Sequence, residues 1–266
     1  MKDGINVLSL FDGISCGQLA LQRAGVSYDQ YFSSEIDEHA IKVTQYNFPN
    51  TIQVGTVTKL SGNTLPAIDL LIGGSPCQGF SMSGKKLNFN DRRSKLFFEY
   101  VRLKNETNPK YFLMENVLMP DKHKDVISEH LGVEPILINS SLVSAQHRRR
   151  LYWTNIPVLE LPEDKGIKVS DILLSGKHVY YSRKYGFKDG GDKTKTLSAR
   201  DYKSFCNQWM SGSWDNENLR MLTPLEYERL QTLPDNYTEV ISNRKRYRAI
   251  GNCWTVDVIS HIFKYL

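Results

Sequence analysis

Val7-Leu8-Ser9-Leu10-Phe11-Asp12-Gly13-Ile14-Ser15-Cys16-Gly17 is the stretch that decides how this chain folds. An alternating apolar run passes through two glycines into the helical pattern of Gln18–Ala24, which is how a βα unit opens. Glycine has no Cβ and tolerates positive φ, so such a turn lets backbone approach a bound molecule closely. It is not the G-x-G-x-x-G dinucleotide fingerprint, and a plain βα turn is an equally good reading of these residues alone. Outward from it the alternation continues through Tyr31–Ser34, Glu38–Asn47, Asp69–Gly73, Ser94–Asn105 and Tyr111–Met114. Strand-like and helical segments in this order predict an α/β fold built on a largely parallel sheet. Ligands of such sheets sit beyond the carboxyl ends of the strands, and Gly13, Glu35, Pro76-Cys77 and Glu115 all fall at such ends.

At 266 residues and 30.5 kDa the chain holds one large domain, or a core domain with a small insertion. Hydrophobic residues at 40% and charged residues at 24% argue against disorder, and no apolar stretch approaches the length of a bilayer span. Met1-Lys2-Asp3-Gly4 runs at once into the first strand without the n-region and cleavage site of a signal peptide, so a cytoplasmic protein is expected. Cys16, Cys77, Cys206 and Cys253 form no C-x-x-C pair, which removes both zinc spacing and a disulfide framework. The net charge of +5 fits a polyanionic partner and equally a solvated basic face. Basic residues cluster at Arg148-Arg149-Arg150 and Arg244-Lys245-Arg246, and mingle with aromatics from Lys177 to Lys203, as phosphate contacts near a groove do.

The texture changes near Leu159. Asp164-Lys165-Gly166, Ser175-Gly176-Lys177, Asp189-Gly190-Gly191-Asp192 and Ser211-Gly212-Ser213 punctuate short segments rich in Tyr, Trp and Lys, so turns dominate there. The expected divisions are a catalytic, cofactor-binding domain over 1–158, a small domain over 159–222, and a segment over 223–266 that returns to the first. Thr223-Pro224-Leu225-Glu226 reads as an N-cap, a first-turn proline and a cap-box acid starting a helix through Leu230. Val258, Ile259, Ile262 and Phe263 mark a closing helix with one apolar face.

Three clusters carry chemistry. Cys77 follows a buried-strand pattern, with Pro76 stiffening the turn before it and Gln78-Gly79 turning the chain away, so the thiol is presented at a strand tip. A lone cysteine is more often a small buried hydrophobe, and the polar, basic Phe80–Lys86 stretch after it reads as a closing loop or as plain surface. Glu115 ends Tyr111-Phe112-Leu113-Met114, a partly dehydrated setting that suits a carboxyl to donating a proton near neutral pH, although an isolated carboxylate at a strand end is commonly structural. Arg148 and Arg150, two apart on an apparently extended segment running to Thr154, are expected to point to one side and hold a base carbonyl or a phosphate; a surface ion-pair ladder is the bland reading. Glu35, about twenty residues beyond the glycine turn, sits where a carboxylate accepts hydrogen bonds from both hydroxyls of a ribose, or is a solvated loop residue.

In order and together, these elements resemble the C5-cytosine DNA methyltransferase family over nearly the whole chain, closest in feel to its de novo branch and to short phage and bacterial solitary enzymes. The matching motifs are Phe11–Gly17, Glu35, Pro76-Cys77-Gln78, Glu115-Asn116-Val117, Gln146 with Arg148 and Arg150, and Gly251-Asn252 with Trp254. The resemblance implies a Rossmann-like methyltransferase sheet with helices on both faces plus a small target-recognition domain. It implies S-adenosyl-L-methionine as cofactor, with S-adenosyl-L-homocysteine as product, near Phe11, Gly13, Ile14, Glu35, Ile36, Thr56, Val57, Pro76, Leu96, Asn252 and Trp254. It implies Cys77, Glu115, Arg148 and Arg150 as catalytic residues. Cys77 adds to C6 of a cytosine swung out of the duplex, Glu115 grips N3, and no metal takes part. The partner implied is double-stranded DNA, met by Gln78, Ser81, Lys85, Thr196 and Arg200, with a cognate restriction nuclease as a candidate second partner and a monomer as the working unit.

Two departures stand out. Thr56 occupies the position of the family's adenine-binding aspartate, and Ser15-Cys16 replaces the usual Gly-Gly of the first loop. A tRNA methyltransferase of the same fold is the neighbouring alternative, against which Cys206 lies outside the Cys-Phe-Thr tripeptide of that branch. A catalytically silent DNA-binding regulator is the other; the intact Cys77, Glu115 and arginines argue against it and Thr56 argues for it.

Overall fold

The structure is a computed structural model that describes residues 4–76, 95–199 and 208–266. The chain divides into two compact units, one comprising the residues up to Ile138 with Arg149–Leu161 and Ser260–Leu266, the other Asn139–Arg148 with Pro162–Ile259. Most of the 223–266 segment therefore belongs to the second unit.

The first unit is organised by a seven-stranded sheet: β1 (Ile5–Leu10), β2 (Tyr28–Ser34), β3 (Ile52–Gln53), β4 (Leu70–Gly73), β5 (Tyr111–Val117), β6 (Ile136–Asn139) and β7 (Arg149–Thr154), in the order β3-β2-β1-β4-β5-β7-β6. α1 (Cys16–Ala24), α2 (Glu38–Asn47), α3 (Lys95–Thr107) and α4 (Asp121–Leu131) lie between the strands in sequence. The strands from β3 to β5 pair in parallel, and β7 enters antiparallel to β5. The chain steps one way from β1 through β2 to β3 and the other way through β4 to β5. Right-handed crossovers then carry α1 and α2 over one face and α3 over the other, with a topological switch between β1 and β4.

Local chemistry explains the boundaries. α1 ends because Gly25 adopts φ 73° and its N–H turns back to the carbonyls of Leu21 and Gln22. α2 begins at Asp37, whose side chain accepts from the His39 N–H. A hydrophobic core cluster gathers Leu8, Leu10, Leu71, Phe97, Tyr100, Met114, Ile127 and Trp153.

The second unit holds a four-stranded antiparallel sheet, β8 (Lys177–Ser182), β9 (Gly186–Asp189), β10 (Met210–Asp215) and β11 (Asn218–Met221), ordered β11-β10-β8-β9. The turn signals of this region are real, but they separate strands of four to six residues instead of irregular chain. α5 (Pro224–Leu230) starts at the Thr223/Glu226 capping box, α6 (Asn243–Asn252) follows, and α7 (Val256–Phe263) closes the chain. Among the described residues, no helix is long and apolar enough to cross a membrane.

Trp153 on β7 is fully buried and donates its indole N–H to Ser128 Oγ at 3.0 Å. Trp153→Ala removes that area and leaves a cavity, so urea denaturation should show a loss of about 3–5 kcal/mol. A loss below about 1 kcal/mol would mean that the core does not close on this ring.

Candidate functional site

The turn after β1 is built from left-handed backbone. Phe11, Gly13 and Ser15 have φ of 56°, 61° and 57°, and two of the three carry side chains, for which this region costs roughly 1–2 kcal/mol each. Hydrogen bonds hold it. Glu35, just beyond β2, accepts the Gly13 N–H on Oε2 at 2.8 Å, and the N–H groups of Ile36 and Asp37 on Oε1 at 2.7 and 2.8 Å. These bonds use three of the carboxylate's four nominal lone-pair positions and leave one, on Oε2, for an outside donor. A Cβ built on Gly13 meets nothing within 4 Å, so the backbone here borders open space. Ile36 is 77% exposed beside it, whereas Ile14 is buried and offers a ligand only its backbone.

Beyond β3 the chain passes Gly55, also at positive φ, and Thr56, whose hydroxyl lies 3.1 Å from that of Thr58. Ser34 Oγ donates to Gly55 O at 2.6 Å, and Arg102 Nη2 donates to Val57 O at 2.9 Å. Arg102 is itself held by Glu99 and Glu106, while Glu106 accepts the Gly62 N–H. Sequence reading missed Arg102, because nothing in α3's pattern shows that its outer face anchors a loop 45 residues away. Val57 is buried, and Leu96 packs against the same core cluster.

At the tips of β4 and β5, buried Asn116 donates Nδ2 to the carbonyl and hydroxyl of Ser75 at 3.4 and 3.3 Å, tying the turn that leads through Pro76 to β5. Glu115 and Arg150 form an ion pair with Nε to Oε1 at 2.9 Å and side chains only 12% and 13% exposed. The register causes it: Glu115 stands opposite Tyr152 and Val117 opposite Arg150, so Glu115 and Arg150 are diagonal neighbours on one face. Cys77, Gln78, Ser81, Lys85 and Arg200 lie outside the described residues.

The other half of the arginine motif belongs to the second unit. Arg148 precedes β7, so the strand alternation that pairs it with Arg150 does not apply. It is buried, and its guanidinium donates to the carbonyls of Cys253 at 3.0 Å, Gly251 at 3.5 Å and Leu197 at 3.4 Å. Gln146, fully buried, donates to Leu230 O and Gln231 Oε1 and accepts the Leu197 N–H. Thr196 gives its hydroxyl to His147 O at 2.6 Å. Gln146–Arg148, Thr196-Leu197 and Gly251–Cys253 are thus one hydrogen-bonded knot, with Asn252 exposed at the end of α6 and Trp254 half-buried after it. Lys193 pins the same segment by donating to the carbonyls of Ser141, Ser144 and Ile167.

A family model described as C-5 cytosine-specific DNA methylase matches residues 5–156 and 170–266. The type II methyltransferase M1.ScrFI of Lactococcus lactis subsp. cremoris is 32% identical over 303 residues, covering 96% of this chain and 76% of that enzyme. The orphan methyltransferase M.SPRI of Bacillus phage SPR is 30% identical over 274 residues, covering 97% of this chain and 58% of the phage enzyme. In fold the chain is similar to DNMT2 of Spodoptera frugiperda, with a TM-score of 0.77 at 21% identity over 98% of this chain and 99% of that one.

Gly251 tests the knot. A Cβ there would lie 2.5 Å from Ala199 N and 2.6 Å from the Ser198 carbonyl carbon, backbone atoms that cannot rotate aside. Gly251→Ala should therefore cost about 1–3 kcal/mol in urea denaturation, the scale of an overpacked contact. Unchanged stability would show that α6 has room to move.

Proposed function

We propose, on the premise that the chain belongs to the C-5 cytosine-specific DNA methylase family, that it methylates cytosine in a short double-stranded recognition sequence through a covalent adduct of Cys77. The enzyme is a DNA cytosine-5-methyltransferase, and the family uses S-adenosylmethionine as methyl donor. The observation that carries the finer reading is the Glu115–Arg150 pair at the same row of strand ends as the Glu35-braced glycine turn. A carboxyl and a guanidinium held together on one face of neighbouring strands can grip two edges of one ring.

The residues fit the cofactor. The open backbone at Gly13, the remaining lone pair of Glu35, exposed Ile36 and the anchored Thr56-Val57 segment offer a polar end, a hydroxyl acceptor and an apolar platform. With Phe11, Ile14, Pro76, Leu96, Asn252 and Trp254 they are the proposed binding set. When bound, the cofactor supplies an electrophilic methyl group to C5.

The chain's own residues do the rest. The target base leaves its stack so that its ring face can be reached. The Cys77 thiolate bonds to C6, and the displaced electron pair makes C5 nucleophilic. Glu115, taking part as the protonated acid, donates its proton to N3 and so neutralises the charge driven into the ring, while Arg150 keeps the Glu115 carboxyl aimed. After transfer, the C5 proton passes to a water molecule, the C5–C6 double bond reforms, the sulfur departs as thiolate, and N3 returns its proton to Glu115. Arg148 acts by fixing the Gly251–Cys253 turn. Residues 159–222 serve as the target-recognition region, with Thr196 shaping it and Gln78, Ser81, Lys85 and Arg200 meeting DNA. The working unit is a cytoplasmic monomer, acting alone or beside a cognate nuclease.

Radiolabelled methyl transfer to duplex DNA tests the reading. Wild type should label it and Cys77→Ala should not, while DNA carrying 5-fluorocytosine should trap a protein-linked product. Labelling of tRNA but not DNA would sink the substrate assignment. Glu115→Gln should lower kcat by about 10²–10⁴-fold, the scale of a lost acid–base contribution.

A further inference from the structure

Asp12 lies inside the strained turn, between Phe11 and Gly13, and its carboxyl is enclosed although the residue keeps part of its surface. Hydroxyls surround it. Tyr31 donates to Oδ1 at 2.7 Å and Ser33 to Oδ2 at 2.9 Å, both from β2, and Ser15 donates to Oδ2 from the turn itself. Ser9 of β1 also hydrogen-bonds to this carboxyl. The cluster extends outward: Gln18 donates to Ser15 Oγ and Thr51 Oγ1, Tyr28 donates to Gln18 Oε1, and Thr44 reaches both Ser15 Oγ and Gly13 O. The hydroxyls of Tyr31, Ser33, Ser15 and Thr44 all reach groups of the turn itself. The one cluster thereby spans β1, β2, α1 and α2.

Resting on the assignment of this turn to S-adenosylmethionine, we propose that Asp12 is a positioning residue for the cofactor: its carboxylate gathers these hydroxyls and so holds Phe11, Gly13 and Ser15 in the left-handed backbone that the cofactor meets. Burial pushes the pKa of this carboxyl above the usual aspartate value, and its hydrogen bonds to the surrounding hydroxyls work the other way. A carboxyl whose folded pKa is raised contributes stability that is fully present below its unfolded pKa and lost as pH rises through the folded one. Ionising this buried carboxyl is therefore a cost to the fold, which fits a group retained for what it positions.

Asp12→Asn keeps the shape and removes the charge. Its amide offers one acceptor oxygen where two stood, so either Tyr31 or the Ser15–Ser33 pair loses its acceptor. Calorimetry should show S-adenosylmethionine and S-adenosylhomocysteine both binding about ten-fold more weakly, a loss of the size expected when a strained loop is released. KM for the cofactor should rise while KM for DNA and kcat at saturating cofactor hold, and the ligand-free thermal midpoint at neutral pH should be equal or higher. The double variant Tyr31→Phe with Ser33→Ala removes donors without touching the turn and should weaken both ligands in the same way. Unchanged affinities, or a cofactor loss that only accompanies a lower thermal midpoint in both variants, would overturn the proposal. Weakening of S-adenosylmethionine alone would also overturn it, because the charge would then act on the sulfonium and not through the loop. Wild type that binds neither ligand would remove the cofactor assignment itself.

Discussion

Parallel pairing in register at the carboxyl ends of the strands is the constraint on which the rest of this protein depends. Leu10 of β1 stands opposite Ser34 of β2 on one side and Gly73 of β4 on the other, and Gly73 stands opposite Met114 of β5. The next residues along the four strands are Phe11, Glu35, Gly74 and Glu115, so the register alone sets the glycine turn, its bracing carboxylate, the strand end leading to Pro76, and Glu115 in one row. A one-residue slip would turn every side chain in a strand to the other face and lose both the core and the row together. Gly73 shows how tight this is, since a Cβ there would come within 2.9 Å of Leu10 O and 3.2 Å of the Tyr100 ring.

That row is held by buried and half-buried polar groups. The first turn needs backbone that two of its residues adopt reluctantly, and such conformations persist only where the surroundings over-determine them. Glu35 does so through three backbone N–H groups, and the hydroxyl cluster around Asp12 does so from below. Arg102 and Ser34 do the same for the loop after β3 by binding its carbonyls. Buried networks of this kind are favourable only when each member is satisfied, which gives them more weight in specifying one geometry than in stabilising the fold.

The arginine motif divides its labour in a way its spacing conceals. Arg150 sits inside an antiparallel strand and pairs with a carboxylate on the neighbouring strand, whereas Arg148 sits before the strand and binds main-chain carbonyls of residues 49 to 105 positions away. The same chemical group serves ion pairing in one case and loop construction in the other. What differs is the set of acceptors brought to each by the fold.

Much of this was legible in the linear chain. The apolar alternation of β1, β4 and β5, the helix of α2 from Glu38 to Asn47 and the Thr223–Glu226 capping box are local signals, decided by neighbours within a few residues, and so they can be read without a fold. The location of Gly13 and Glu35 beyond strand ends follows from the same periodicity, whereas β5 runs two residues past Glu115 to Val117, because β7 pairs alongside it there. The four-stranded sheet of the second unit was not legible, because its strands are short and β9 is mostly exposed, leaving no clean alternation to detect. Nor could the chain alone show that β7 runs against β5, that Arg148 is spent on carbonyls, or that Asp12 is ringed by hydroxyls from β1, β2 and the turn. Those facts rest on contacts between distant segments, and only tertiary packing chooses which distant acceptor a donor will meet.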